Sequence, residues 1–309
     1  MNVLLVSHHA CLSHENDPDH PECPDRLRAV LGVLDAEEFA LLPREEAPRA
    51  TEEQLMRVHS PDHVRAILNI RPPADEFVAL DAETGMAAGS AEAALRAAGA
   101  GIAAVDAVCR GEVLRAFCAV RPPGHHAEPA RPMGFCLFSN AAIAARHAQA
   151  AHGLERVAIL DFDVHHGNGT QAVAADDPSL LYASTHQWPC FPGSGHDNER
   201  GLGNVFNVTL PPGAGPEEFH AAWGERLLPA VAAFRPELLI VSAGFDAHAR
   251  DPLAQQRLRE ADFEAVTAEI CRLADRLCGG RVVSTLEGGY DLQALGASAA
   301  AHLRALMNA

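Results

Sequence analysis

Asp161, Asp163 and His165 stand two residues apart at the close of an apolar run that opens Val157-Ala158-Ile159-Leu160. Alternate residues of an extended chain share a side, so these three face one way and can hold one small object. Carboxylate oxygen and imidazole nitrogen are both good ligands for a divalent transition metal. Asp246 also follows an apolar run directly, in Ala243-Gly244-Phe245-Asp246-Ala247-His248. Asp163, His165 and Asp246 form a three-ligand zinc set with a fourth position left for water and substrate, as catalytic sites require. Standing alone, Asp246 would read as a helix cap, and His248 competes with it as a ligand.

His125 and His126 lie upstream in Arg121-Pro122-Pro123-Gly124-His125-His126. Paired imidazoles can act as general base and general acid on a water activated by the metal. Neighbouring side chains in an extended loop diverge, so each needs its own partner. Asp161 orients one ring and raises its basicity. Asn168 serves the other without adding negative charge. Tyr290, after Glu287-Gly288-Gly289, can swing its phenol over the metal and polarise a carbonyl, although a tyrosine packing at a strand end is the plainer reading. Phe135 and Phe191 suit the walls of a tunnel for an unbranched aliphatic chain, with core packing as the alternative. Together these groups describe amide hydrolysis. Gly-x-Ser-x-Gly, a matched cysteine motif and a Lys-bearing phosphate loop are all missing from the sequence.

Apolar runs and helical stretches alternate along the chain and supply the frame. Strands are expected over 3–7, 116–120, 157–161, 180–184, 205–210, 238–243 and 282–286. Helices are expected over 24–34, 52–58, 62–69, 86–110, 140–151, 216–233, 260–277 and 292–307, and 8–26 reads as a long polar loop. Such alternation means a mainly parallel sheet flanked by helices on both faces. The polar clusters then fall just beyond the carboxyl ends of strands, where open parallel sheets bind ligands. No repeat or composition break interrupts the pattern, so residues 1–309 are expected to form one α/β domain.

Composition narrows the partners. The 309 residues are 48% hydrophobic, enough for a large core, and the formal net charge is -17. That balance argues against a nucleic-acid face, which needs clustered Lys and Arg. It fits cationic substrates, although acidity for solubility is the simpler account. The eight cysteines form no Cys-x2-Cys pair and are expected to be reduced. The apolar run near the N-terminus is short and lacks a basic leader, and no segment reaches the roughly 20 apolar residues of a membrane span. A cytoplasmic enzyme is the expectation, and a homo-oligomer stays open.

With these residues assembled, the sequence resembles the zinc-dependent histone deacetylase family, on the side of its class II and bacterial amidohydrolase members. The resemblance runs from His20-Pro21-Glu22-Cys23-Pro24-Asp25-Arg26 to Glu287-Gly288-Gly289-Tyr290-Asp291-Leu292. It rests on RPPGHHA, MGFC, DFDVHHGNGTQ, FPGSG, AGFDAH and LEGGYDL. It implies the arginase-deacetylase fold, one Zn2+ on Asp163, His165 and Asp246, and catalytic roles for His125, His126, Asp161, Asn168 and Tyr290. It further implies tunnel walls at Phe135 and Phe191, a backbone contact at Gly134 and an internal-channel arginine at Arg26. A K+ ion is implied beside the zinc, with Asp161, Ser184 and Thr185 among its ligands. The implied substrate is an acylated lysine in a protein or peptide.

Rival readings are weaker on particular residues. An arginase-like pair of manganese ions needs more bridging carboxylates, and Gly167 stands where an Asp-x-His-x-Asp pattern would continue. Acetylpolyamine hydrolysis is closer. Polyamine-selective relatives place a glutamate shortly after the Asp-Pro that follows AGFD, and Leu253 occupies that place here. The acidic loop His14–Glu22 could substitute for it. A silent acyl-lysine-binding module would lack Tyr290 or a zinc ligand, and all are present.

Overall fold

In this computed structural model, residues 3–17, 19–74 and 76–308 are described. In chain order the strands are β1 (Val3–Ser7), β2 (Arg44–Glu46), the short pair β3 (Val78–Ala79) and β4 (Gly85–Met86), and β5 (Arg115–Cys118). They continue with β6 (Val157–Asp161), β7 (Leu180–Gln187), β8 (Val205–Leu210), β9 (Leu238–Ala243) and β10 (Val282–Leu286). Eight of them make one sheet in the order β2-β1-β5-β10-β9-β6-β7-β8, and every neighbouring pair in it is parallel. β3 and β4 form a separate antiparallel pair.

The helices are α1 (Pro24–Leu34), α2 (Glu52–Leu55), α3 (Pro61–Asn69), α4 (Ser90–Cys109) and α5 (Asn140–His152). After them come α6 (Asn168–Ala174), α7 (Pro216–Ala221), α8 (Leu228–Phe234), α9 (Glu260–Cys278) and α10 (Leu292–Asn308). α4 and α5 pack together against the sheet, while α1, α10 and α9 form a second group. β5, β6, β9 and β10 are buried at every residue, as strands covered on both faces must be. This single α/β domain is the doubly covered sheet that the alternating pattern implies.

Four departures from the sequence reading have local causes. β2 is three exposed charged residues on the sheet edge, so no apolar run marks it. β7 runs on past Ser184 through Thr185, His186 and Gln187, all buried. Their polar atoms are satisfied inside: Trp223 Nε1 donates to Thr185 Oγ1 at 3.1 Å, and His186 meets Ser184 Oγ at 2.9 Å. The helix expected over 216–233 is wound as a π-helix over Ala222–Leu227, just ahead of Pro229, whose ring nitrogen has no hydrogen to donate. α6 begins at Asn168 inside a stretch that its glycines disguise as loop.

The polar segment before α1 folds inward. Glu22 is fully buried and accepts from Arg26 Nη1 (3.0 Å), Arg121 Nε (2.5 Å) and Arg121 Nη2 (2.6 Å). Burial opposes its charge, but Arg121 outweighs that and holds its pKa well below the usual carboxylate range. Glu22→Ala leaves two buried guanidinium groups without their counter-charge. The expected loss in urea unfolding is about 3–5 kcal/mol, the usual cost of breaking a buried pair. A loss under about 1 kcal/mol would mean that water reaches those arginines.

Candidate active site

The sheet order places four carboxyl ends side by side, those of β5, β10, β9 and β6. The loop after β5 carries His125 and His126, that after β10 Tyr290, that after β9 Asp246, and that after β6 Asp163 and His165. Residues 165 positions apart in sequence, from His125 to Tyr290, thus reach one spot.

His165 Nδ1 lies 3.1 Å from Asp163 Oδ1 and 3.0 Å from Asp246 Oδ2. One ligand atom from each of the three residues falls within 4.8 Å of the others, and all three residues are buried. A ring nitrogen set between two carboxylate oxygens fits a divalent cation drawing on all three. The remaining oxygens hold the carboxylates in place, because Asp163 Oδ2 accepts from Gly288 N (2.8 Å) and Asp246 Oδ1 from Val164 N (2.9 Å). A Cβ on Gly244 would collide with the Asp163 carboxylate, and one on Gly288 with that of Asp246. Glycine is therefore required at both positions by the carboxylates they enclose. His248 stays outside the cluster, its Nδ1 accepting from Arg250 N and its Nε2 facing Glu260 at 3.5 Å.

Each histidine of the pair has its own partner. His125 Nδ1 meets Asp161 Oδ2 at 3.0 Å, and His126 Nδ1 meets Asn168 Oδ1 at 2.8 Å. Asn168 Nδ2 donates to Glu128 Oε1 at 2.8 Å, which fixes the amide so that its oxygen faces His126. His126 Nδ1 therefore carries the hydrogen and Nε2 keeps a free lone pair. The electrostatics separate the rings further. Burial works against a charge on His125, yet Asp163 and Asp161 outweigh it and push its pKa up to about 10. Burial, His125 and His165 hold His126 well below the ordinary imidazole value. One ring favours the proton and the other refuses it, the separation expected of an acid and a base.

A cavity of about 270 Å³ opens above this cluster. His126, His165 and Tyr290 line it, with Gly134, Phe135, Phe191 and Leu253 around them. The Phe191 ring stands edge-on to His126 at 5.0 Å, and the Phe135 ring edge-on to Tyr290 at 5.9 Å. Phe135 holds a left-handed backbone (φ 68°), unusual for a bulky residue, and its N–H donates to Thr84 Oγ1 at 3.1 Å. A Cβ at Gly134 would run into the His126 ring, so the glycine lets the wall close on the imidazole.

Arg26 does not line this cavity. It is fully buried, donating from Nε to Gly289 O (2.6 Å) and from Nη2 to Glu287 O (2.5 Å), with its guanidinium 4.7 Å from the Tyr290 ring centroid. It holds the tyrosine loop from behind. Asp161 and Ser184 are paired neighbours on β6 and β7, with Thr185 next in line.

Several supporting residues escape sequence reasoning. Glu287 accepts from Gly124 N (2.6 Å) and His125 N (3.1 Å), and burial pushes its pKa up to about 7. Tyr182 donates to Asp161 Oδ2 at 3.1 Å. Asp251 accepts from Tyr290 N and Leu253 N, joining two lining loops. Glu83 and Cys190 also line the cavity. None belongs to a chemical cluster in the sequence, and only the Glu-Gly-Gly-Tyr context marks Glu287.

The parallel sheet thus closes its central strand ends around an Asp-His-Asp cluster beside paired histidines. The chain belongs to the histone deacetylase family, whose domain model matches residues 20–306. It is 43% identical to a histone deacetylase-like amidohydrolase of Pseudomonas aeruginosa, over 88% of this chain and 73% of that one. It is 39% identical to the chloroplastic histone deacetylase 14 of Arabidopsis thaliana, over 98% and 76% of the two chains. The human polyamine deacetylase HDAC10 is also 39% identical, across 99% of this chain and 48% of its own. Among solved structures, the HDA15 HD domain superposes with a TM-score of 0.92 at 35% identity, covering 99% of this chain and 88% of that one.

Proposed function

We propose that the protein is a zinc-dependent deacylase that removes acetyl or other acyl groups from lysine side chains of proteins or peptides. The observation that carries this is the convergence of Asp163, His165 and Asp246 with two separately partnered histidines, beside a cavity that His126, His165 and Tyr290 line. Zinc, when bound, supplies a Lewis acid that polarises the acyl carbonyl and makes water acidic. His126 Nε2 takes a proton from the attacking water and passes it to the departing amine nitrogen as the C–N bond breaks, its tautomer set by Asn168 and Glu128. His125, held by Asp161, retains a proton and balances the charge of the carboxylates. Tyr290 donates to the developing oxyanion, and Gly134 offers its backbone near the departing amine. A K+ ion beside the zinc belongs to the same reading, supported by the pairing of Asp161 with Ser184 on adjoining strands and by Thr185 beside it.

Eight free cysteines fit a reducing, cytoplasmic setting. No helix among the described residues is long and apolar enough to cross a membrane. Acetylated polyamines are a second class of substrate, favoured by the likeness to HDAC10. Leu253 in the cavity wall weighs against them, since it offers a second ammonium no partner and leaves only the exposed Glu83 of the same lining to meet it. Zinc-loaded protein should turn over acetyl-lysine peptides with higher kcat/KM than acetylpolyamines, and Leu253→Glu should move that ratio toward the polyamines. A native enzyme that strongly prefers acetylpolyamines would reverse the assignment.

A further inference from the structure

A second group of ligand atoms lies at the other end of the sheet. α4 and α5 pack together, and each leads directly into a strand, β5 or β6, so both helices end near the amino edge. Asp106 sits in the last turn of α4, His152 is the final residue of α5, and His147 precedes it on the same helix. The catalytic loops leave the opposite, carboxyl edge. Asp106 Oδ1 meets His147 Nε2 at 2.8 Å and His152 Nε2 at 2.7 Å. The two rings stand edge-on at 5.8 Å, and one ligand atom from each residue lies within 4.8 Å of the others. His147 is buried while Asp106 and His152 are half-buried, so solvent reaches the group. Two imidazole nitrogens and one carboxylate oxygen suit zinc and its first-row neighbours, whereas Ca2+ and Mg2+ want oxygen alone. Helix carboxyl ends also favour a positive charge.

Two arginines set the terms on which an ion competes. Arg110 Nη2 donates to the other oxygen, Asp106 Oδ2, at 3.2 Å, which leaves Oδ1 to the histidines. Arg57 Nη1 lies 3.0 Å from His147 Nδ1. A guanidinium only donates, so His147 keeps its hydrogen on Nε2, where it bonds Asp106. An ion at Nε2 needs that hydrogen on Nδ1, with Arg57 turned aside. Arg57 can turn, because its ion-pair partner Glu53 is itself exposed and 3.9 Å away.

We propose that Asp106, His147 and His152 form a second metal site, which takes a zinc-class divalent cation and clamps α4 to α5 at the amino end of the sheet. Water completes the coordination. Half-exposed and opposed by Arg57, the site holds its ion reversibly, so it fills in added Zn2+ and is stripped by desalting. It shares no residue with the catalytic cluster and stands whether or not the chain is a deacylase.

Equilibrium dialysis against Zn2+ tests this on the whole chain. Native protein should hold one equivalent more than Asp106→Asn or His152→Gln. Glutamine keeps a hydrogen-bond donor toward Asp106, and so the local fold, but supplies no imidazole. Asp246→Ala, which lacks a proposed catalytic ligand, should still take up the extra equivalent during dialysis. Added Zn2+ should raise the Tm of desalted native protein and not that of desalted His152→Gln. Arg57→Ala should bind the extra ion about tenfold more tightly, since the group that holds the competing hydrogen on Nε2 is gone. A purely structural hydrogen-bond cluster would show no such gain. Equal Zn2+ uptake by native protein and His152→Gln would overturn the proposal, and so would Arg57→Ala binding the ion no tighter.

Discussion

Asp246→Ala is expected to yield a folded protein that retains almost no zinc and shows no measurable turnover. Asp246 Oδ2 lies 3.0 Å from His165 Nδ1, and its other oxygen accepts the Val164 N–H that fixes the loop after β6. Removing it takes away one of the three proposed ligands and slackens the loop that carries the other two. Metal analysis should fall from about one zinc per chain to nearly none. Thermal stability gives an independent readout. Asp161, Asp163 and Asp246 are three buried carboxylates in one place, and burial together with Asp163 pushes Asp246 above its ordinary pKa. Such a cluster is strained without a cation and stabilised by one. Chelation should therefore lower the Tm of the native protein and leave that of Asp246→Ala almost unmoved. Two tightly held manganese ions in the native protein would replace the zinc assignment with the arginase-like one.

Tyr290→Phe separates binding from chemistry. Burial holds the phenol well above its ordinary pKa, so it stays protonated and able to donate. Its ring is fixed by Arg26 behind it and by Asp251 on its backbone nitrogen, and phenylalanine keeps both contacts. Zinc content and KM should stay near native, while kcat falls about 10²–10³-fold, the effect of losing one oxyanion donor. An unchanged kcat would remove Tyr290 from the mechanism.

The groups legible in the sequence are those that lie in short contiguous motifs directly after apolar strands. Asp161, Asp163 and His165 declare themselves by alternation, and His125 and His126 by adjacency. What stayed hidden depends on distant partners. Glu22 looks like one more acid in a polar loop until Arg121, 99 residues away, buries against it. Glu287 meets the histidine loop from 163 residues downstream. Arg26 enters as a channel residue on resemblance alone, and its bonds to the Tyr290 loop, from Nε to Gly289 O and from Nη2 to Glu287 O, come from the packing of α1 that no motif announces. Among elements, β2 and the extension of β7 were missed for the same physical reason. Hydrophobic periodicity cannot report a strand of exposed charges, or one whose buried polar atoms are satisfied by distant groups.

The order of the strands in the sheet also sets the history of the molecule as it folds. β9 and β10 are the last strands in the chain, yet they occupy the centre of the sheet, between β5 and β6. Before they arrive, β2-β1-β5 and β6-β7-β8 can be only two separate ribbons, each with an unpaired inner edge open to other chains. Pairing across such long sequence separations is slow. Asp246 and Tyr290 ride in on those two late strands, so chain that has not closed its sheet lacks both the proposed third metal ligand and the proposed oxyanion donor. On the proposed function, hydrolytic competence arrives only with the final stitch of the fold.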